Sequence, residues 1–224
     1  MNTPVSTDSK KRRVRLSPEV RKQQILEVAL LEFSEHGFGA ATVERIAGLA
    51  GLSKAGLYAH FASKEEIFEA LLTQMLCPPF EAEQWQLLQG DSLGAAIDRF
   101  IDLSYEKLLD PKTIATLRLL VSESARAHEA IRRWHDEVIQ PYKKAQQAVI
   151  DLCVASGWMR ESALTRNFDL VSAPTLFAAL HFMMFNNGAN MQEVLDLREA
   201  HRELLHELLR RNEPSRTAAD VEQS

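Results

Sequence analysis

Cysteine is scarce: the chain has two, Cys77 and Cys153, far apart and in no Cys-x-x-Cys pair. A zinc site and a disulfide framework are therefore excluded as organising features, leaving two ordinary buried thiols as the expectation. No stretch alternates apolar and polar residues over a convincing length, which excludes a sheet and predicts an all-α fold. Apolar runs such as 176–185 are broken or flanked by polar residues well short of the roughly 20 needed to span a bilayer. The basic start is followed by no apolar signal region, so the expectation is a cytoplasmic protein with no membrane partner. His-Glu-x-x-His is absent, and His201 and His206 are five apart, on different faces of a helix, so no metal site is expected. Residues 51–56 superficially resemble a nucleophile elbow and a phosphate loop, but have one residue too many for the first and Leu57 where the second needs Lys. Neither an enzyme nor a cofactor is predicted.

What is present is an ordinary globular composition, 224 residues with 46% hydrophobic and 25% charged side chains. Its net charge of −5 is unevenly placed. Through Lys64 there are ten Lys/Arg against six Asp/Glu, a balance of +4, and the remainder carries −9. A basic end on an acidic body suits an end that meets phosphate while the body is repelled from it.

Within that basic end, residues 42–64 read TVERIAGLAGLSKAGLYAHFASK. Val43, Ile46, Ala47 and Ala50 repeat at three- and four-residue steps behind Thr42, a capping residue. Gly51 then offers φ > 0 and Ser53 offers a cap for a second short helix. In that helix Leu57 and Phe61 face inward, and Lys54, Ala55, Tyr58 and His60 face out. Two short helices crossing at a glycine turn form a helix-turn-helix, whose second helix fits a DNA major groove roughly 12 Å wide.

The same residues carry a family resemblance. Thr42, Ile46-Ala47, Ala50-Gly51, Ser53, Gly56-Leu57-Tyr58, His60-Phe61 and Ser63-Lys64-Glu65 resemble the N-terminal signature of the tetracycline-repressor (TetR) family of bacterial transcriptional regulators, over residues 21–72. The resemblance implies that Thr42, Ser53, Tyr58, His60 and Lys64 contact phosphate or adjacent bases of a double-stranded operator. It also implies that Lys54, Ala55 and Gly56 face the groove, with Arg45 a further candidate. It implies a homodimer built on the last two helices, with paired heads one helical turn of DNA apart. The helix opening at Lys64 would connect head to body and move when an effector binds.

In chain order, residues 1–17 form a basic arm, which is either a solvated tail or an arm that follows phosphates. Pro18 opens a first helix that ends at His36-Gly37, completing a three-helix head over 18–63. A helical ligand-binding and dimerisation domain over 64–211 follows, then a polar tail over 212–224. Ser63 caps Lys64–Leu76, with Ile67, Phe68, Leu71, Leu72 and Met75 as its stripe and Pro78-Pro79 as its stop. Further helices are expected at 91–110, 114–121, 128–156 with a kink or break at Pro141, 168–185 and 194–209. The last two carry more apolar surface than one buried side requires, and Ala173, Ala178, Ala179 and Gly188 would allow close approach in a dimer. Phe100, Tyr105, Leu117, Val121, Trp134, Phe177 and His181 either surround a cavity for a hydrophobic small-molecule effector or are plain core. Arg118, His135 or His181 could supply the placed polar group of such a cavity. A helical adaptor that binds only protein would explain the amphipathic body, but not the basic head.

Overall fold

The structure, a computed structural model, describes residues 17–77, 92–185 and 191–209, and these contain helices and no strand. The arm through residue 16, Pro78-Pro79, Gly188 and the tail lie outside the described residues.

Helix α1, Pro18–Ala40, starts where Ser17 accepts a hydrogen bond from the Val20 amide and Pro18 needs no donor. It buries Ile25, Leu26, Ala29, Leu30 and Phe33. At Gly37 the backbone leaves helical geometry (φ +74°, ψ 163°) and then resumes for one more turn to Ala40. The break at His36-Gly37 is thus where the sequence puts it, but the chain continues, because the turn carries Phe38 into the core. There Phe38 meets Phe68 at 4.9 Å and Phe33 at 5.8 Å, and Phe33 meets Phe68 edge-on at 5.6 Å.

Helices α2 (Val43–Leu49), α3 (Lys54–Tyr58) and α4 (Lys64–Leu76) follow. The whole predicted stripe of α4 is buried, and it is buried in the head's own core, together with Ile25, Phe33, Ile46, Leu57 and Phe61. Helix α5 spans Leu93–Leu109, and α6 spans Pro111–Glu123 behind an Asp110 cap. Next come α7 (His128–Trp134), a π-helical segment (His135–Ile139) and α8 (Gln140–Ala155). The widened turn stands immediately before Pro141, which lacks an N–H and whose ring would meet the Glu137 carbonyl in a regular helix. Pro141 therefore widens the helix without ending it, and Gly157, at φ +74°, closes it. Helix α9 (Ala163–Arg166), which the apolar pattern does not announce, is fixed by a capping box between Ser162 and Thr165. Helices α10 (Phe168–Phe185) and α11 (Met191–Leu209) end the described chain.

Three cores result. The first joins the head to α4, Leu119 of α6, and Ala130 and Trp134 of α7. The second gathers Ile97, Ile101 and Tyr105 of α5 with Ile150, Phe168, Val171, Ala178, Val194 and Leu205. Between them Ile114 and Leu117 of α6 meet Ala179 of α10. Some residues of the expected stripes lie outside these cores: Leu103, Val121, Leu152 and Leu204 are exposed, because their helices are covered on fewer sides than a count of apolar positions suggests. Ion pairs stitch the layers: Lys112 to Glu27 at 2.7 Å, Arg133 to Glu69, and a seam between α5 and α11. In that seam Arg202 holds Asp98 (3.1 Å) and Asp102 (2.7 Å), and His206 holds Asp98 (2.8 Å). His206 and Arg202 keep the Asp98 carboxyl below its usual range, and Arg202 and Arg198 do the same for Asp102.

Helix α10 is, by length and composition, apolar enough to cross a membrane, and 28% of its residues are buried inside this chain, where it packs against α5, α8, α9 and α11. Leu170, Leu176, Phe177, Met184 and Phe185 remain exposed along it, joined by Met191, Leu195 and Leu204 of α11. Ala178 and Ala179 face inward, so the close approach they permit is to the chain's own helices, while Ala173 lies on the outer face.

Candidate nucleic-acid interface

The reading head is assembled from two capped turns. Thr42 accepts from the Arg45 amide at 3.2 Å and starts α2. Gly51, at φ +66°, reverses the chain, and the Leu52 amide returns to the Ala47 carbonyl at 2.8 Å. Ser53 accepts from the Gly56 amide at 3.1 Å and starts α3. Leu57 and Phe61 then anchor α3 from beneath. A Cβ at Gly56 would stand 3.3 Å from the Ser53 hydroxyl that caps the helix, so glycine also leaves room for that cap.

Thr42, Ser53, Lys54, Ala55 and Tyr58 are exposed, and Gly56 and His60 are half-buried. The Lys54 ammonium pairs with Glu44 of α2 and lies 5.9 Å from the centre of the Tyr58 ring. Both ends of the pair are exposed, and its hydrogen bond raises the Lys54 pKa and lowers that of Glu44. Such a pair is worth little and opens readily toward another anion.

The other two cations are placed differently. Arg45 reaches back to α1, with Nε 3.2 Å from the Glu32 carboxylate and a terminal nitrogen 2.8 Å from His36 Nε2. Glu32 is 2% exposed, so this guanidinium neutralises a buried charge. Lys64 is half-buried and donates to the carbonyls of Phe38 (2.7 Å), Ala41 (3.1 Å) and Gly39 (3.4 Å), over the face of the Phe38 ring. Neither tether has a signal in the spacing, because both depend on where α1 ends in space.

Among the described residues, the candidate effector residues are divided between separate cores and the surface. Trp134 is buried in the first core, Phe100 and Tyr105 belong to the second, and Leu117 is in the small third. Val121 and Phe177 are exposed, Arg118 is exposed with a hydrogen bond to the Met183 carbonyl, and His135 is tied to Asp136. His181 sits between Phe177 and Phe185 on α10 and pairs with Glu193. Among the described residues these side chains are thus shared between three cores and the surface: helical spacing fixes a residue's face on its own helix, not which neighbour covers that face. Tyr105 alone of the group lines a groove of about 360 Å³, with Asp102, Glu106, Leu109, Val194, Leu195 and Arg198, none of which the spacing singled out. Within the core its hydroxyl lies 3.5 Å from Nδ1 of His201, a residue whose pKa burial lowers.

Comparison with known proteins converges on the head. Residues 25–71 match the sequence profile of the bacterial regulatory proteins of the tetR family. The chain is 37% identical over 85 residues to the HTH-type transcriptional repressor SCO4008 of Streptomyces coelicolor, covering 38% of this chain and 43% of that protein. It is 46% identical over 56 residues to the HTH-type transcriptional regulator RutR of Escherichia coli, covering 25% of this chain and 26% of RutR. The matched region thus spans less than half the length of these relatives. The fold extends further. A TetR family transcriptional regulator from Pseudomonas syringae pv. tomato superposes with a TM-score of 0.64 at 20% identity, over 86% of this chain and 98% of that one. The fatty acid degradation regulator FadR of Bacillus halodurans gives 0.61 at 17% identity, over 86% and 96%.

Proposed function

We propose that this chain, whose residues 25–71 match the tetR family of bacterial regulatory proteins, is a DNA-binding transcriptional regulator of that family. In this reading it acts in the cytoplasm as a repressor, binds a palindromic operator as a homodimer, and is released by a small molecule. The observation that carries the reading is α3: a five-residue helix capped at Ser53, seated on Leu57 and presenting Lys54, Ala55 and Tyr58 outward. A lysine donates to guanine O6 or N7, and Tyr58 offers a donor to a phosphate oxygen.

The dimer is supported by the uncovered apolar residues of α10 and α11. So many large apolar side chains left exposed on two neighbouring helices of an otherwise charged body fit an interface. Two-fold pairing there would present two heads to half-sites roughly 34–36 Å apart. Release is supported by α4, which shares the head's core while its Glu69 is held by Arg133 of α7, so a shift in the body has a rigid route to the head. The effector is a hydrophobic small molecule, and the groove that Tyr105 lines offers it Leu109, Val194 and Leu195 beside the charged Asp102, Glu106 and Arg198.

Selection of bound duplexes from a random pool, followed by mobility shift, tests the function. An inverted repeat bound well above random duplex is expected. Equal retention of all duplexes would overturn the reading.

A further inference from the structure

We propose that Lys64 is a positioning residue: its ammonium fastens the start of α4 to the end of α1 and thereby sets the attitude of the reading helix, instead of contacting phosphate. This rests on the DNA-binding reading above.

An ammonium has three donors and no more. Here the carbonyls of Phe38, Gly39 and Ala41 lie at 2.7, 3.4 and 3.1 Å from Nζ, so all three are occupied. These carbonyls belong to the last turn of α1 and the residue after it, where helix oxygens have lost their intrahelical partners and a cation is favoured. The charge also stands 4.5 Å from the Phe38 ring centre, a further attraction that phosphate contact would forfeit. That ring is held by Phe33 and Phe68, so the clamp is fixed to the core.

The clamp's place in the chain gives it its consequence. Ala41 immediately precedes Thr42, the cap of α2, and Lys64 immediately follows Ser63, the cap of α4. The two joined points bracket α2, the turn and α3 entirely. Release at Lys64 leaves both helices folded on Leu57 and Ile46 while loosening their angle to α1 and α4.

The test uses the full chain with Lys64→Arg and Lys64→Met, measuring affinity for the selected operator and for random duplex across salt concentrations, below the melting temperature. Arg keeps the charge, but its planar fork cannot aim three donors from one nitrogen at three converging carbonyls. Both variants should lose at least tenfold in the operator-to-random ratio, with the salt slope unchanged. Full operator affinity in Lys64→Arg would overturn the proposal. So would an equal loss on both duplexes in Lys64→Met with a slope smaller by about 1, the mark of a phosphate contact. A lowered melting temperature with an intact ratio would reduce Lys64 to a purely structural role and also overturn it. Should the wild-type chain prefer no duplex, the functional reading falls by itself. The clamp is then judged by melting, where an unchanged midpoint in Lys64→Met would refute it.

Discussion

Gly37→Ala should be the most costly single methyl added to the head. At φ +74° and ψ 163° the residue occupies a region that is essentially glycine's own, and forcing a side chain there costs about 1–3 kcal/mol. The added Cβ would also stand 3.0 Å from Glu123 Oε1, a carboxylate that is 5% exposed at the end of α6 and has little room to retreat. Together these place the loss at roughly 2–4 kcal/mol. Gly51→Ala is the internal control: its φ is +66°, but nothing lies within 4 Å of the new methyl, so only the left-handed backbone cost of about 1–2 kcal/mol applies. Urea unfolding followed by circular dichroism measures both. In a Glu123→Ala background the steric part of the Gly37→Ala loss should vanish, a coupling of about 1 kcal/mol. If Gly37→Ala costs no more than Gly51→Ala, or if the Glu123 background leaves its cost unchanged, the account of the α1 break is wrong.

Lys54→Ala should leave the unfolding midpoint essentially unchanged, since its pair with Glu44 is exposed, while lowering operator affinity more than random-duplex affinity. An equal loss on both would reassign Lys54 to phosphate. Phe177→Glu should yield a monomer by sedimentation with little change in unfolding midpoint, because Phe177 is 59% exposed within its own chain, and an intact dimer would move the interface elsewhere. Burial pushes the Cys77 thiol up to about 11, whereas a free thiol titrates near about 8.5. Its contribution to stability is therefore complete below about pH 8.5 and is lost as pH rises toward 11. A thiol reagent at pH 8 should leave Cys77 unmodified until the chain unfolds.

The head was legible because local chemistry determines it. Thr42, Ser53 and Ser63 each cap within three residues, and Gly51 must turn where it stands, so the sequence names both the helices and their ends. The body was legible only as helices. Trp134 reads as a body residue but packs into the head's core, and Val121 reads as core but is exposed, because helix-to-helix assignment depends on long-range packing that no periodicity encodes. The α4 stripe likewise packs across the domain line drawn at residue 63. Arg45 and Lys64 show the same limit at the site. The family resemblance offered both as DNA contacts, while the partners they hold in the structure, Glu32 and the last carbonyls of α1, come from a helix whose end is set by Gly37.

The claim beneath all of this is that α3 faces the bases of a duplex. A photo-crosslinking amino acid in place of Tyr58, irradiated in the presence of the selected operator, tests it most directly. The account predicts attachment to one defined nucleotide in each half-site, abolished by excess unlabelled operator. Attachment to the protein's own chain, or to duplexes without regard to sequence, would contradict it.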